Sequence, residues 1–182
     1  MFTEQELKTK DYLSEIFVPS VHQMMSKADP YMYLRYGGRC CKQISYLLKL
    51  FLTEALPQYE WTAWESMFID EYEDYSHAWV YGRHSEDNHP HIIMDYGKLE
   101  HEYSFFLQVE RNEYPEQLLD EGDSFPWFLD EEIEDERKPI EPSGNETFTQ
   151  RPFEELYAEL KKELNIEDFL NTLHFAENNR SF

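Results

Sequence analysis

Basic residues and long apolar runs are scarce in this chain of 182 residues. There are 16 Lys and Arg against 38 Asp and Glu, which gives a formal net charge of −22. This shortage of positive charge argues against a nucleic-acid backbone or an anionic membrane as the main partner, and it is compatible with a basic protein partner. No apolar run approaches the ~18 residues of a membrane-spanning helix, so we expect none.

Cysteine is also scarce. The two cysteines, Cys40 and Cys41, are adjacent. Neighbouring cysteines rarely form a structural disulfide and two are too few for a disulfide scaffold, so the composition fits a reducing compartment. The first residues, Met1 to Glu6, lack the basic-then-apolar order of a signal peptide. The sequence therefore predicts a cytoplasmic protein.

Hydrophobic residues, at 41%, and aromatic residues, at 16%, are plentiful enough for a sizeable core. We expect residues 1–110 to form the core together with N-terminal helices. Residues 111–182 then contain an acidic, aromatic segment, a linker and C-terminal helices that pack on this core.

Hydrophobic periodicity predicts the helices. Thr3 and Glu6 form a capping-box pattern at the start of the first helix, which we expect Pro19 to end. A longer amphipathic helix opens at Cys40 and stops at Pro57. Two further apolar stripes predict C-terminal helices over 153–164 and 166–173.

Strand-like alternation fills the stretch between these helical regions, over 59–69, 75–83, 91–96 and 102–109. The fold class that we expect is α+β, with the cysteine-bearing helix packed on an antiparallel sheet and extra helices at the C-terminus.

Three residues stand in settings that suit nucleophilic catalysis. Cys40 opens a helix, where the helix dipole and a nearby imidazolium favour a thiolate. His77 and Asp95 lie within neighbouring β runs, where a histidine can act as base and acid while a carboxylate fixes its orientation. If the runs pair with His77 directly opposite Asp95, the turn falls at Glu86, inside a polar stretch.

These motifs resemble the transglutaminase-like superfamily of papain-like cysteine enzymes. The similarity covers Gly38-Arg39-Cys40 before a helix, His77-Ala78-Trp79-Val80 and Ile93-Met94-Asp95. The cysteine motif is also distantly similar to that of arylamine N-acetyltransferases. The resemblance implies an antiparallel sheet with a papain-like core and a triad of Cys40, His77 and Asp95. The implied activity is acyl transfer or amide hydrolysis on a protein or peptide substrate, with no metal or organic cofactor.

The expected site includes residues beside this triad. Gly38 would let a substrate approach the backbone closely. Tyr33 and Tyr36 are candidates to line the cleft or donate to an oxyanion, and Trp79 is either core or a wall of the cleft. Cys41 is either structural or a redox partner of Cys40.

Two further features allow other interpretations. His84, His89, His91 and His101 suggest a metal site, but their spacing favours a solvated loop. The acidic residues 130–136 are a solvated face, a surface for a basic partner or a mimic of DNA. The alternative function is therefore a non-catalytic acidic interaction protein, such as an immunity-like or anti-toxin factor, on the same fold.

Overall fold

The protein has a mixed α+β fold with an antiparallel sheet of five strands and helices packed on it. A computed structural model describes residues 1–35, 40–69, 74–86, 88–96, 104–110, 137–142 and 151–178. The acidic stretch 130–136, together with Tyr36, Gly38 and His101, lies outside the described residues. Among those described, no helix is both long and apolar enough to cross a bilayer.

The N-terminal helices begin as the sequence predicts but extend further. Thr3 and Glu6 make both hydrogen bonds of a capping box. The predicted end at Pro19 is wrong, because the chain continues through a π-helical segment into a second helix. The elements are α1 (Glu4–Tyr12), the π-helical segment (Leu13–Phe17), α2 (Val18–Ala28) and α3 (Pro30–Arg35).

Pro19 is accommodated because it stands in the first turn of α2. The amide of Val18 donates to the Leu13 carbonyl across the π-helical segment. In a first turn the missing N–H of proline costs little. The Ser20 hydroxyl donates to the Ile16 carbonyl at 2.7 Å, so this residue bonds within the helix rather than capping a new one.

Helix α4 (Cys41–Ala55) is the central helix of the molecule. It ends at Leu56, just before Pro57, as the sequence predicts. Its apolar face, which includes Ile44, Leu47 and Phe51, is fully buried. It packs on the first two strands of the sheet.

The sheet runs in the order β4–β3–β2–β1–β5, and each neighbouring pair is antiparallel. The strands are β1 (Tyr59–Ile69), β2 (Asp74–His84), β3 (His91–Asp95), β4 (Phe105–Val109) and β5 (Lys138–Pro139). The prediction of an antiparallel sheet from residues 59–109, with the cysteine-bearing helix packed on it, is confirmed.

The sequence does not predict strand β5, because Pro139 is typical of a linker. The strand is two residues long and pairs with Trp64 and Glu65 of β1. Proline is tolerated at a sheet edge, where its missing N–H faces away from the ladder.

The C-terminal helices α5 (Phe153–Glu163) and α6 (Ile166–Asn178) confirm the two predicted stripes. They pack against α4, and their apolar residues join those of α2, α4 and the sheet in one hydrophobic core. Successive side chains of a strand point to opposite faces of the sheet, so one face contributes to this core and the other carries a smaller hydrophobic cluster. Ala78 and Val80 belong to the core, whereas Trp79, Ile93 and Phe105 form the cluster.

Candidate active site

His77 on β2 and Asp95 on β3 bring their side chains together. Nε2 of His77 lies 2.5 Å from Oδ2 of Asp95, whose residue is only 4% exposed. The predicted register is offset by two residues, since Val80 pairs with Met94 and Asp95 is therefore level with Trp79. An even offset keeps both side chains on one side of the sheet, so they meet as diagonal neighbours.

The cysteine that acts on His77 is Cys41, the first residue of α4, which is among the groups that raise the pKa of the imidazole. The sequence predicts Cys40 for this role, but the Cys40 sulfur lies beside another histidine. Cys40 precedes the helix, is 1% exposed, and has its sulfur 3.5 Å from Nδ1 of His22.

Helix geometry explains why the two thiols separate. Cys40 caps α4 with non-helical backbone angles, whereas Cys41 is the first helical residue, so the two side chains leave the backbone in different directions. Cys40 lies four residues before Ile44 and seven before Leu47, and it joins their buried stripe. This spacing from Ile44 and Leu47 is the feature of the sequence that could have identified Cys40 as the buried cysteine.

The charge of His77 is set by its neighbours. Burial by itself would lower the pKa of the imidazole. The Asp95 carboxylate and the Cys41 thiol outweigh burial and raise the pKa to about 10. His77 is therefore an imidazolium at neutral pH.

The start of α4 also offers hydrogen-bond donors. The Cys40 side chain makes no capping bond, and the first intrahelical bond runs from the Ile44 amide to the Cys40 carbonyl at 3.0 Å. Amides of a first helical turn have no intrahelical acceptor. They are therefore suited to stabilise an oxyanion that forms beside Cys41.

An ion-pair cluster fixes this helix start to the sheet. Glu65 of β1 pairs with Lys42 at 2.8 Å and with Lys138 of β5 at 3.6 Å. Glu65 is the better buried partner, with a side chain 14% exposed. The residue that follows Cys41 is thus tied to two strands.

A second histidine, His22 on α2, was missed by the sequence analysis. It is 2% exposed, and its Nδ1 lies 2.9 Å from the Tyr33 hydroxyl and 3.5 Å from the Cys40 sulfur. Burial lowers the pKa of His22 to about 4, although a contact with the backbone of Tyr96 opposes this. Burial also raises the pKa of the Cys40 thiol, and the neighbouring Cys41 adds to that effect. We call Cys40, His22 and Tyr33 the buried thiol cluster.

Trp79 packs beside the imidazole rather than standing in the open. It is 6% exposed, and its ring stacks on His77 with centroids 6.2 Å apart and planes at 19°. Tyr36 and Gly38, the other residues predicted to contact substrate, lie outside the described residues.

The described histidines of the β2–β3 turn contact one another, and His89 pairs with Glu86 at 3.1 Å. His84 and His89 stack at 4.3 Å, and Nδ1 of His91 accepts from the His84 amide at 3.1 Å. Over the described part of the chain, no three side chains of His, Cys, Asp or Glu are grouped as metal ligands.

No protein-family model, no curated protein and no solved structure matches this chain. The case for a function consequently depends on the residues described above and on their contacts.

Proposed function

We propose that this protein is a cysteine enzyme of the transglutaminase-like kind, in which Cys41, His77 and Asp95 carry out acyl transfer or amide hydrolysis. One observation carries the proposal: Asp95 and Cys41 both act on His77, whose Nε2 lies 2.5 Å from Oδ2 of the buried Asp95. A carboxylate in this position is costly to bury without a partner, and an imidazolium is the partner it has.

The reaction begins with the Cys41 thiolate, which attacks the carbonyl carbon of the acyl donor. When the tetrahedral intermediate collapses, the bond to the leaving amine breaks and the His77 imidazolium donates a proton to that amine. The acyl group stays on sulfur as a thioester. Neutral His77 then takes a proton from water or an acceptor amine, which attacks the thioester and releases the Cys41 thiolate.

The roles of the other groups follow from their positions. Asp95 holds Nε2 of His77, so that Nδ1 faces the sulfur and the positive charge is stabilised. The amides at the start of α4 stabilise the oxyanion. The central helix on an antiparallel sheet, with a thiol at the helix start, supports a papain-like core.

Thiol labelling tests the proposal without a known substrate. Iodoacetamide should modify Cys41 much faster than Cys40 at pH 6. The cysteines are adjacent, so fragment ions in tandem mass spectrometry, or the variants Cys40→Ser and Cys41→Ser, must separate them. An ordinary thiol with a pKa of about 8.5 is only ~0.3% ionised at pH 6, so His77→Ala should slow the labelling of Cys41 by up to ~100-fold.

His89→Ala is the matched control, because His89 is exposed and pairs with Glu86 in the turn. It should label like the wild-type protein. An activated acyl ester should then transfer its acyl group to Cys40→Ser and to the wild-type protein, but not to Cys41→Ser. Equal, slow labelling of both cysteines, unchanged in His77→Ala, would contradict catalysis and favour a non-catalytic acidic interaction protein.

A further inference from the structure

We propose that His22 determines which of the two adjacent thiols becomes the nucleophile, by engaging Cys40 and leaving Cys41 to His77. This inference rests on the proposed function. His22 acts through Cys40 rather than on the reacting atoms, so it is a positioning residue.

The contacts of Nδ1 provide the first support. This nitrogen faces both the Tyr33 hydroxyl, at 2.9 Å, and the Cys40 sulfur, at 3.5 Å. Burial lowers the pKa of His22 to about 4, so His22 is neutral and one of its nitrogens is an acceptor. With the proton on Nε2, the one lone pair of Nδ1 accepts from either the Tyr33 O–H or the Cys40 S–H, and both groups lie within reach of it.

The second support is the place of this contact in the chain. Cys40 immediately precedes Cys41, so the 3.5 Å contact between its sulfur and Nδ1 of His22 acts on the residue next to the proposed nucleophile.

A competing explanation is that burial alone keeps Cys40 in the core. The two explanations differ in what they require of position 22. Selection by hydrogen bonding needs a polar atom where Nδ1 stands, whereas burial needs only a side chain of suitable size. Asparagine places its amide near the position of Nδ1, and glutamine places its amide near that of Nε2. His22→Asn and His22→Gln are thus a matched pair of polar variants.

The experiment measures the ratio of Cys41 to Cys40 labelling by iodoacetamide at pH 6, with far-UV circular dichroism to verify folding. We expect His22→Asn to keep the wild-type ratio within ~3-fold. We expect His22→Gln to lower it by ~10-fold or more, since a misplacement of ~1 Å can cost up to ~100-fold in a site of this kind.

Equal ratios in the folded Asn and Gln variants, with Cys41 still preferred in the wild-type protein, would overturn the role of His22 and leave the proposed function intact. Loss of preference in the wild-type protein itself would overturn the proposed function and this inference with it.

A measurement on the wild-type protein decides the matter where a variant does not fold. A long-range ¹H–¹⁵N spectrum should show His22 as the neutral Nε2–H tautomer, with an Nδ1 resonance that moves in Cys40→Ala. A proton on Nδ1 would leave no acceptor for the Cys40 S–H and would overturn the proposal.

Discussion

Asp95→Asn removes the negative charge beside His77 and keeps the shape of the side chain. The amide oxygen can still accept from Nε2 of His77, where the carboxylate oxygen now lies at 2.5 Å. The substitution therefore separates the charge of Asp95 from its role in orienting the ring.

The expected magnitude follows from the pKa of His77. Burial opposes the imidazolium, and Asp95 is the first of the groups that overcome it and raise the pKa from 6.5 to about 10. Two unit charges about 4 Å apart interact by about 4 kcal/mol at an effective dielectric constant of ~20. That energy corresponds to about a thousandfold change in proton affinity. The equilibrium between the neutral pair and the thiolate–imidazolium pair should fall by up to the same factor.

The assay is the rate of Cys41 labelling by iodoacetamide from pH 5 to 9. A thousandfold effect lowers the pKa of His77 from about 10 by about three units. His77 then stays charged at pH 6, where we expect Asp95→Asn to label like the wild-type protein, and becomes neutral near pH 8, where we expect labelling ~3-fold or more slower. His77→Ala should set the lower limit, because it removes the imidazolium altogether. Cys40 is the internal control and should remain slow in all three proteins. A folded Asp95→Asn variant with the wild-type profile would refute the argument that this carboxylate keeps His77 charged.

Three other predictions concern stability. Gly82→Ala should lower the free energy of unfolding in urea by about 1–3 kcal/mol, because its Cβ would lie 2.4 Å from the Trp61 ring. Tyr59→Phe should cost about 1.5–3 kcal/mol in the same assay, since it leaves a buried oxygen of Glu6 without the hydroxyl that now donates at 2.5 Å. The raised pKa of His77 means that its stabilisation is complete below pH 6.5 and is lost as the pH rises through about 10. In this window urea unfolding should show a decline of up to ~1.4 kcal/mol per pH unit that His77→Gln lacks.

Periodicity explains why most of the fold could be predicted from the sequence. The spacing of Ile44, Leu47 and Phe51 predicts a helix with one apolar face, and the burial of these three side chains confirms the prediction. Pro19 and Pro139 show the limit of such reasoning. Proline excludes a backbone N–H at one position, but whether that position lies in a first helical turn or at a sheet edge depends on neighbours that are distant in the sequence.

The contact between His77 and Asp95 could be predicted from the sequence, but the cysteine that acts on His77 could not. His77 and Asp95 lie on neighbouring strands, so an error of two residues in the register still left them in contact. Cys40 and Cys41 differ by one residue at the start of a helix, and their side chains leave the backbone in different directions. A motif match that is uncertain by one position therefore places the wrong thiol at the imidazole.

The π-helical segment Leu13–Phe17 has a consequence for insertions and deletions. A π turn contains one residue more than the α-helical turn that it replaces, so it absorbs an extra residue without changing which face of α2 is buried. Deleting the exposed Glu15 would convert the segment to a regular α-helix and leave His22 facing Cys40. Deleting Gln23, equally exposed but outside the segment, would rotate the rest of α2 by about 100° and remove Met25 from the core. This helical region should therefore tolerate the loss of one residue within Leu13–Phe17 but not within α2.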